Sequence, residues 1–169
     1  MSNAPSAAPR FAPPRFPFTG WPVQVTDARL GYLWHVAPNF FLNQTQIRHA
    51  DANAANALHD WIDRLLAARR DEIAGAGGLV ILHDWRSLEG YERDARRVFQ
   101  ARMRARPAGY LKTGYTIVPS TPLFRMAIEA AGLAAVLGSG GRVELGTDPE
   151  PILRRLRIAP PSAGMAFPG

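Results

Sequence analysis

Apolar positions along this chain switch between two periods, and the switches mark out its elements. Leu58, Trp61, Ile62, Leu65, Leu66 and Ile73 recur mainly at spacings of three and four, which puts them on one face of a helix and predicts that this face is buried. Asp51 is placed to cap its start and Gly75 stands just past its end, so the helix is expected to run to about Ala74. Tyr91, Ala95, Val98, Phe99 and Met103 share one side of a second helix over 91–106, stopped by Pro107 and Gly109. Elsewhere extended chain is predicted. Val23–Leu30 and Tyr32–Ala37 flank Gly31 as the two arms of a hairpin. Leu79–Leu82 is a continuous apolar run after two glycines, the pattern of a strand covered on both faces. Tyr110–Val118 reads as the next strand. Thr121 then caps, and Pro122 opens, a helix over 122–131 that Gly132 ends. Arg142–Leu145 is a last strand, and Thr147 with Glu150 forms a capping-box pair for a helix over 149–157.

A hairpin followed by helix and strand in alternation predicts an α/β domain over 23–158, with helices on a mixed, largely parallel sheet. Two proline-bearing tails flank it. Residues 1–22 contain Pro5, Pro9, Pro13, Pro14, Pro17 and Pro22. Proline can neither donate to a ladder nor continue a helix, so an extended arm outside the core is expected. Phe11, Phe16, Phe18 and Trp21 are out of place in a solvated tail. They suggest that the arm lies in an apolar groove of its own domain or of a partner. Residues 159–169 read as a flexible C-terminal tail.

At 169 residues, 47% hydrophobic and 20% charged, the chain cannot be disordered throughout, and its length suits one domain. The absence of cysteine excludes a disulfide framework, a thiolate metal site and a cysteine nucleophile. No apolar run approaches the ~18 residues of a membrane span. Met1–Arg10 lacks a basic-then-apolar leader pattern, so a cytoplasmic location is expected. The net charge of +6 is concentrated between 86 and 112, where Arg86, Arg93, Arg96, Arg97, Arg102, Arg104, Arg106 and Lys112 face only Glu89, Glu92 and Asp94. Lys112 is the only lysine, a bias that GC-rich coding explains more simply than a demand for bidentate donors.

The element order, together with the stretch Gly114–Leu133 (GYTIVPSTPLFRMAIEAAGL) and a closing helix over Asp148–Leu156, resembles a STAS-type domain. That is the fold of bacterial anti-sigma-factor antagonists and of the cytoplasmic tails of sulfate transporters, and lipid-binding SEC14-type domains share a similar architecture. The resemblance covers about residues 23–157. It implies a non-enzymatic regulatory or scaffolding module whose second helix and preceding loop contact a protein partner, such as a kinase or sigma regulator. Antagonists carry Asp-Ser-Ser-Gly at the start of that helix, where phosphorylation of a serine releases the partner. Here Glu92-Arg93-Asp94-Ala95 stands in its place. With no hydroxyl there, binding is expected to be constitutive. Ser87, Ser120 and Thr121 are the nearest hydroxyls.

His83 and Asp84 follow the Leu79–Leu82 run at the carboxyl end of a central strand, where open α/β sheets place their ligands. With Ser87 they supply the letters of a hydrolase triad. No Gly-x-Ser-x-Gly elbow accompanies them, and residues of one short loop do not converge as triads do. They are read as a strand end or partner-contact loop. His35, His49, His59 and His83 have no recognised metal spacing; zinc through His49 and His59 with Asp51 or Asp60 is the nearest approach, and no metal or cofactor is expected. Gly138–Gly141 lacks the lysine of a phosphate loop and reads as a turn. Arg93, Arg97, Gln100 and Arg104 share the outer face of the second helix, suited to an acidic protein or a phosphate backbone. The expected partner-binding set is therefore His83, Asp84, Ser87, Glu92, Arg93, Asp94, Arg97 and Arg104. The alternatives are a small molecule or lipid held between helices and sheet, and an electrostatic nucleic-acid binder. Oligomers are compatible with either.

Overall fold

Leu79–Leu82 occupies the middle of the sheet, as its unbroken apolar pattern requires. In the computed structural model, which describes residues 11–119, 121 and 141–168, the elements run β1 (Val25–Asp27), β2 (Gly31–Ala37), β3 (Phe40–Thr45), β4 (His49–Ala50), α1 (Ala52–Ala68), α2 (Arg70–Gly75), β5 (Leu79–Asp84), β6 (Gly90–Tyr91), α3 (Arg93–Arg104), β7 (Leu111–Ile117), β8 (Arg142–Gly146) and α4 (Glu150–Leu156). Six strands form a mixed sheet in the order β1-β2-β3-β5-β7-β8. β1, β2 and β3 are antiparallel, and β3, β5, β7 and β8 are parallel. The chain is α/β with a mostly parallel sheet, as the alternation of patterns predicted.

Several local expectations are corrected. The hairpin around Gly31 forms, and a Cβ there would collide with the Gln44 carbonyl oxygen. The sequence reading missed β3, which joins that hairpin to the parallel strands. The first helix starts on Asp51, whose carboxylate accepts the Ala54 N–H at 2.8 Å, but it breaks at Arg69, where φ of −129° leaves the helical range. The second helix begins at Arg93 rather than Tyr91, because Gly90 and Tyr91 pair with His49 and Ala50 in a small parallel ladder. Asp148, not Thr147, serves the last helix by accepting the Glu150 N–H at 2.9 Å. The predicted helix over 122–131, Ser120, and the Gly138–Gly141 turn apart from Gly141 lie outside the described residues, as does most of the stretch that carries the STAS resemblance.

Because strand side chains alternate, β3, β5 and β7 each feed two cores. On the helix side, Leu33, Phe41, Leu79 and Ile81 pack beneath Ala57, Leu58, Ile62 and Leu65 of α1 and Met103 of α3. On the other side, Tyr32, Trp34, Leu42, Leu82, Tyr115 and Ile117 are covered by Leu153 of α4 and by the proline-rich arm. The described part of the arm, residues 11–22, is therefore part of the core and not extended outside it. Phe18 is fully buried, with its ring 5.1 Å from that of Trp21 and 5.7 Å from that of Trp34. The Trp34 indole N–H donates to the Pro22 carbonyl at 2.9 Å, and the Tyr32 hydroxyl to that of Ala12 at 3.0 Å. Prolines suit this segment because its backbone covers a sheet face without joining a ladder. The C-terminal tail, expected to be flexible, is anchored near its end by Phe167, which packs on Trp61 at 5.4 Å and Phe41 at 6.1 Å.

Truncating Phe18 to alanine should destabilise the protein by about 3–5 kcal/mol, the usual cost of emptying a buried aromatic site. Phe16, 62% exposed two residues away, should tolerate the same change within about 0.5 kcal/mol. Urea unfolding of both variants checks this, and equal small effects would mean that the arm does not hold the fold.

Candidate functional site

Asn43, His83 and Thr116 are register partners on β3, β5 and β7, forming a polar row across three parallel strands near their carboxyl ends. All three are buried on the helix side of the sheet. One residue further on, Gln44 and Asp84 are paired on the opposite side. Strand alternation thus separates His83 from Asp84, and with Ser87 in the turn beyond, the three letters of the supposed triad do not meet.

Asp84 is fully buried, and its charge is answered from three directions. Arg86 donates to both carboxylate oxygens at 2.8 Å, Gln44 donates at 2.7 Å, and the Arg15 guanidinium of the arm stands 3.6 Å away. Arg86 also donates to the Phe16 carbonyl at 2.6 Å, and the Arg15 N–H donates to the Gln44 side-chain oxygen at 2.7 Å. The hydrogen bonds that Arg86 donates to Asp84 raise the Arg86 pKa above its ordinary value, whereas burial lowers that of Arg15. Asp84 was expected to contact a partner. It is instead the internal lock between arm and sheet, and it has no surface to offer.

His83 faces a different environment. Between α1, α3 and the sheet lies a cavity of about 120 Å³, walled mainly by apolar groups that include Leu58, Ile62, Ile81, Trp85, Phe99 and Met103. Small residues leave the room for it: Ala54 and Ala55 on α1, Ala95 on α3, and Gly114 on β7. Two imidazoles line it. The His59 ring packs 4.8 Å from that of Phe99, and the His83 ring lies 5.1 Å from that of Trp85 and 6.3 Å from that of Phe99.

The hydrogen bonds fix both tautomers. Arg106 can only donate, and its Nη1 approaches His59 Nδ1 at 2.7 Å. Nδ1 is therefore the acceptor, and the proton sits on Nε2. That Nε2–H is buried without a hydrogen-bond partner. His83 has the opposite arrangement. Asn43 donates its amide N–H to the Thr45 hydroxyl at 3.1 Å and presents its oxygen to His83 Nδ1. Nδ1 carries the proton, which leaves Nε2 as a bare acceptor with no partner among the described residues. Burial lowers the pKa of both rings: to about 2 for His59, with the positive charge of Arg106 adding to the effect, and to about 3 for His83. Both are neutral near pH 7.

The other expected site residues are dispersed. Glu92, just before α3, and Arg93, Asp94, Arg97 and Arg104 on it are exposed, and Arg97 pairs with Asp94 at 3.1 Å. Gln100, assigned to the same outer face, is half-buried and lines the cavity. Arg102 and Arg106 turn inward to α1: Arg102 holds Asp60 and Asp63 at 2.7 Å each, and Arg106 holds Asp63 at 2.7 Å. Ser87 lines a separate polar recess of about 440 Å³ with Gln46, Arg48, Arg86 and Thr121. Among the described residues no three His, Asp or Glu side chains group as metal ligands, and His59 is engaged with Arg106 rather than with His49. The pairing of His59 and His83, 24 positions apart, left no spacing signal. The available clue was position: His59 falls among the buried residues of α1, and His83 continues the helix-side parity of Leu79 and Ile81.

An unfolded histidine titrates near pH 6.5, and these two do not take up protons while folded until far lower pH. Below pH 6.5 the unfolded state gains protons that the folded state does not, so stability falls with pH by about 1.4 kcal/mol per unit for each histidine. Asp27, held down to about 2 by its bonds to Arg29 and Trp61 despite its burial, adds a further loss only below about pH 4. Urea unfolding between pH 7 and 4.5 should show this slope, and a flat profile would mean that both rings titrate freely.

Comparison of the chain with protein-family models, with curated proteins and with solved structures finds no match, so the function must be read from this geometry.

Proposed function

We propose that the protein is a binding module for a small, largely apolar molecule held between α1, α3 and the sheet. The observation that carries this reading is the pair of buried, neutral imidazoles, one with a spare donor and one with a spare acceptor, facing a cavity otherwise walled by hydrocarbon and aromatic groups. Ligand sites in soluble proteins commonly combine an apolar wall with few convergent polar groups. Leaving a buried donor unpaired costs about 1–3 kcal/mol, a cost that a bound oxygen would remove. Half-buried Tyr91 and Gln100, with exposed Arg96, line the side of the cavity toward the surface. A lipid chain is too large for about 120 Å³; a single ring is the nearest match in size, an apolar cavity of about 150 Å³ being one that accepts benzene.

Toluene added to the full chain should give saturation-transfer NMR signals and raise the melting temperature. Ala95→Leu, which places three more carbons at the cavity wall, should abolish the signal while costing no more than about 3 kcal/mol, the range for overpacked cores. Binding unaffected by this change would place the ligand elsewhere.

A second reading, a regulatory module that docks a protein partner on α3 in the manner the STAS resemblance implies, is favoured by the exposure of Arg93, Arg96, Arg97 and Arg104 on one helix, with only Asp94 paired to them among the described residues. Reversing Arg93, Arg97 and Arg104 to glutamate should change stability by less than about 0.5 kcal/mol per site and weaken capture of an acidic partner in a salt-dependent way. Capture indifferent to both the reversal and added salt would assign this face to solvation.

A further inference from the structure

We infer that the ligand of this cavity is an uncharged six-membered ring bearing a hydroxyl, with His59 Nε2–H donating to the hydroxyl oxygen and the hydroxyl proton donated to His83 Nε2. The inference rests on the cavity reading above and specifies its chemistry. A hydroxyl is the smallest group that accepts and donates at one atom, and the two imidazoles present the complementary pair. Each tautomer follows from a neighbour outside the cavity: Arg106, which can only donate, for His59, and the side-chain oxygen that Asn43 presents for His83. His59 cannot swap its donor and acceptor without setting an N–H against Arg106, and His83 cannot do so without a turn of the Asn43 amide.

The ring follows from the walls. Trp85 and Phe99 stand 6.0 Å apart, edge to face; Trp85 packs on His83, and Phe99 packs on both His59 and His83. Aromatic groups in such a box pack against a flat ring in offset or T-shaped geometry. Volume limits the ligand to about one ring.

Charge is selected against. A carboxylate would lose its hydration to an apolar wall and would set a negative oxygen against the bare lone pair of His83 Nε2. Arg106, the one cation deep in the lining, is already neutralised by Asp63 at 2.6 Å and committed to His59.

The test is titration of the full chain with phenol, toluene and benzoate, followed by ligand-observed NMR and calorimetry. Phenol should bind at least tenfold more tightly than toluene, and benzoate should not bind. In His59→Leu phenol should fall to the affinity of toluene, with toluene itself changed by less than twofold, which also shows that the variant is folded. If that variant does not fold, the phenol-to-toluene ratio in the unaltered chain decides alone. Toluene binding as tightly as phenol overturns the inference and leaves the cavity reading standing. Failure of both to bind overturns the cavity reading, and the inference with it. Benzoate binding tightest overturns the inference by making Arg106 the anchor.

Discussion

One buried carboxylate organises this fold. Asp84 closes the central strand with a negative charge that has no access to water, and removal of either cation would leave an ion in a low-dielectric interior, a loss of about 3–5 kcal/mol in comparable cases. The two arginines that answer it come from different places: Arg15 from the arm and Arg86 from the turn after β5. Arg86 extends the link by donating to the arm backbone at Phe16. A single charge thereby fixes a proline-rich segment that makes no strand pairs, and it adds to the backbone bonds of the turn after β5, where the Trp85 N–H donates to the Ile117 carbonyl and the Leu88 N–H to that of Trp85. With the arm in place, Phe18 and Trp21 cover the face of the sheet that α1 and α3 leave open.

The lock on one side of the sheet determines what can stand on the other. Trp85 directly follows Asp84, and its ring forms a wall of the cavity against His83. Because β5 alternates, the residue before the lock must point to the helix side, so His83 is carried into the cavity by the register that carries Asp84 out of it. The helices are tied together as firmly. Arg102 and Arg106 of the α3 segment reach across to Asn56, Asp60, Asp63 and His59 of α1. This network holds the two helices at a separation where Ala54, Ala55 and Ala95 leave a space among the larger side chains of Leu58, Ile62, Phe99 and Met103.

Much of this order was legible along the chain. The amphipathic face of α1, its Asp51 cap and the buried run of β5 are short-range signals, and each appears where periodicity puts it. β3 was not legible, because Phe40–Thr45 begins with three apolar residues and ends with Asn43, Gln44 and Thr45, all buried. Its polar half resembles a loop until its partners are known: Gln44 is buried to meet Asp84, and Asn43 to meet His83. The aromatics of the arm pointed to docking, but only the position of Asp84 against Arg15 identifies the groove. For the same reason the arginine-rich window misled in part. Sequence counts charges without direction: Arg86 is turned onto the buried Asp84 two residues before it, and Arg102 and Arg106 toward carboxylates that are distant in the chain.

The histidines show the limit most clearly. Ring burial alone would make each an inert core residue, and many buried imidazoles are just that. What separates these two is the asymmetry of their partners. Arg106 takes the acceptor of one ring and Asn43 takes the donor of the other, so the nitrogens left over are of opposite kind. A structural role would be served better by closing both bonds, because a buried donor without a partner costs about 1–3 kcal/mol, or by leucine at either position. Retaining two neutral imidazoles also makes the fold sensitive to acid, since their protonation in the unfolded state favours unfolding below pH 6.5. The fold carries both costs in the one place where the surrounding residues are small enough to leave room for a ring.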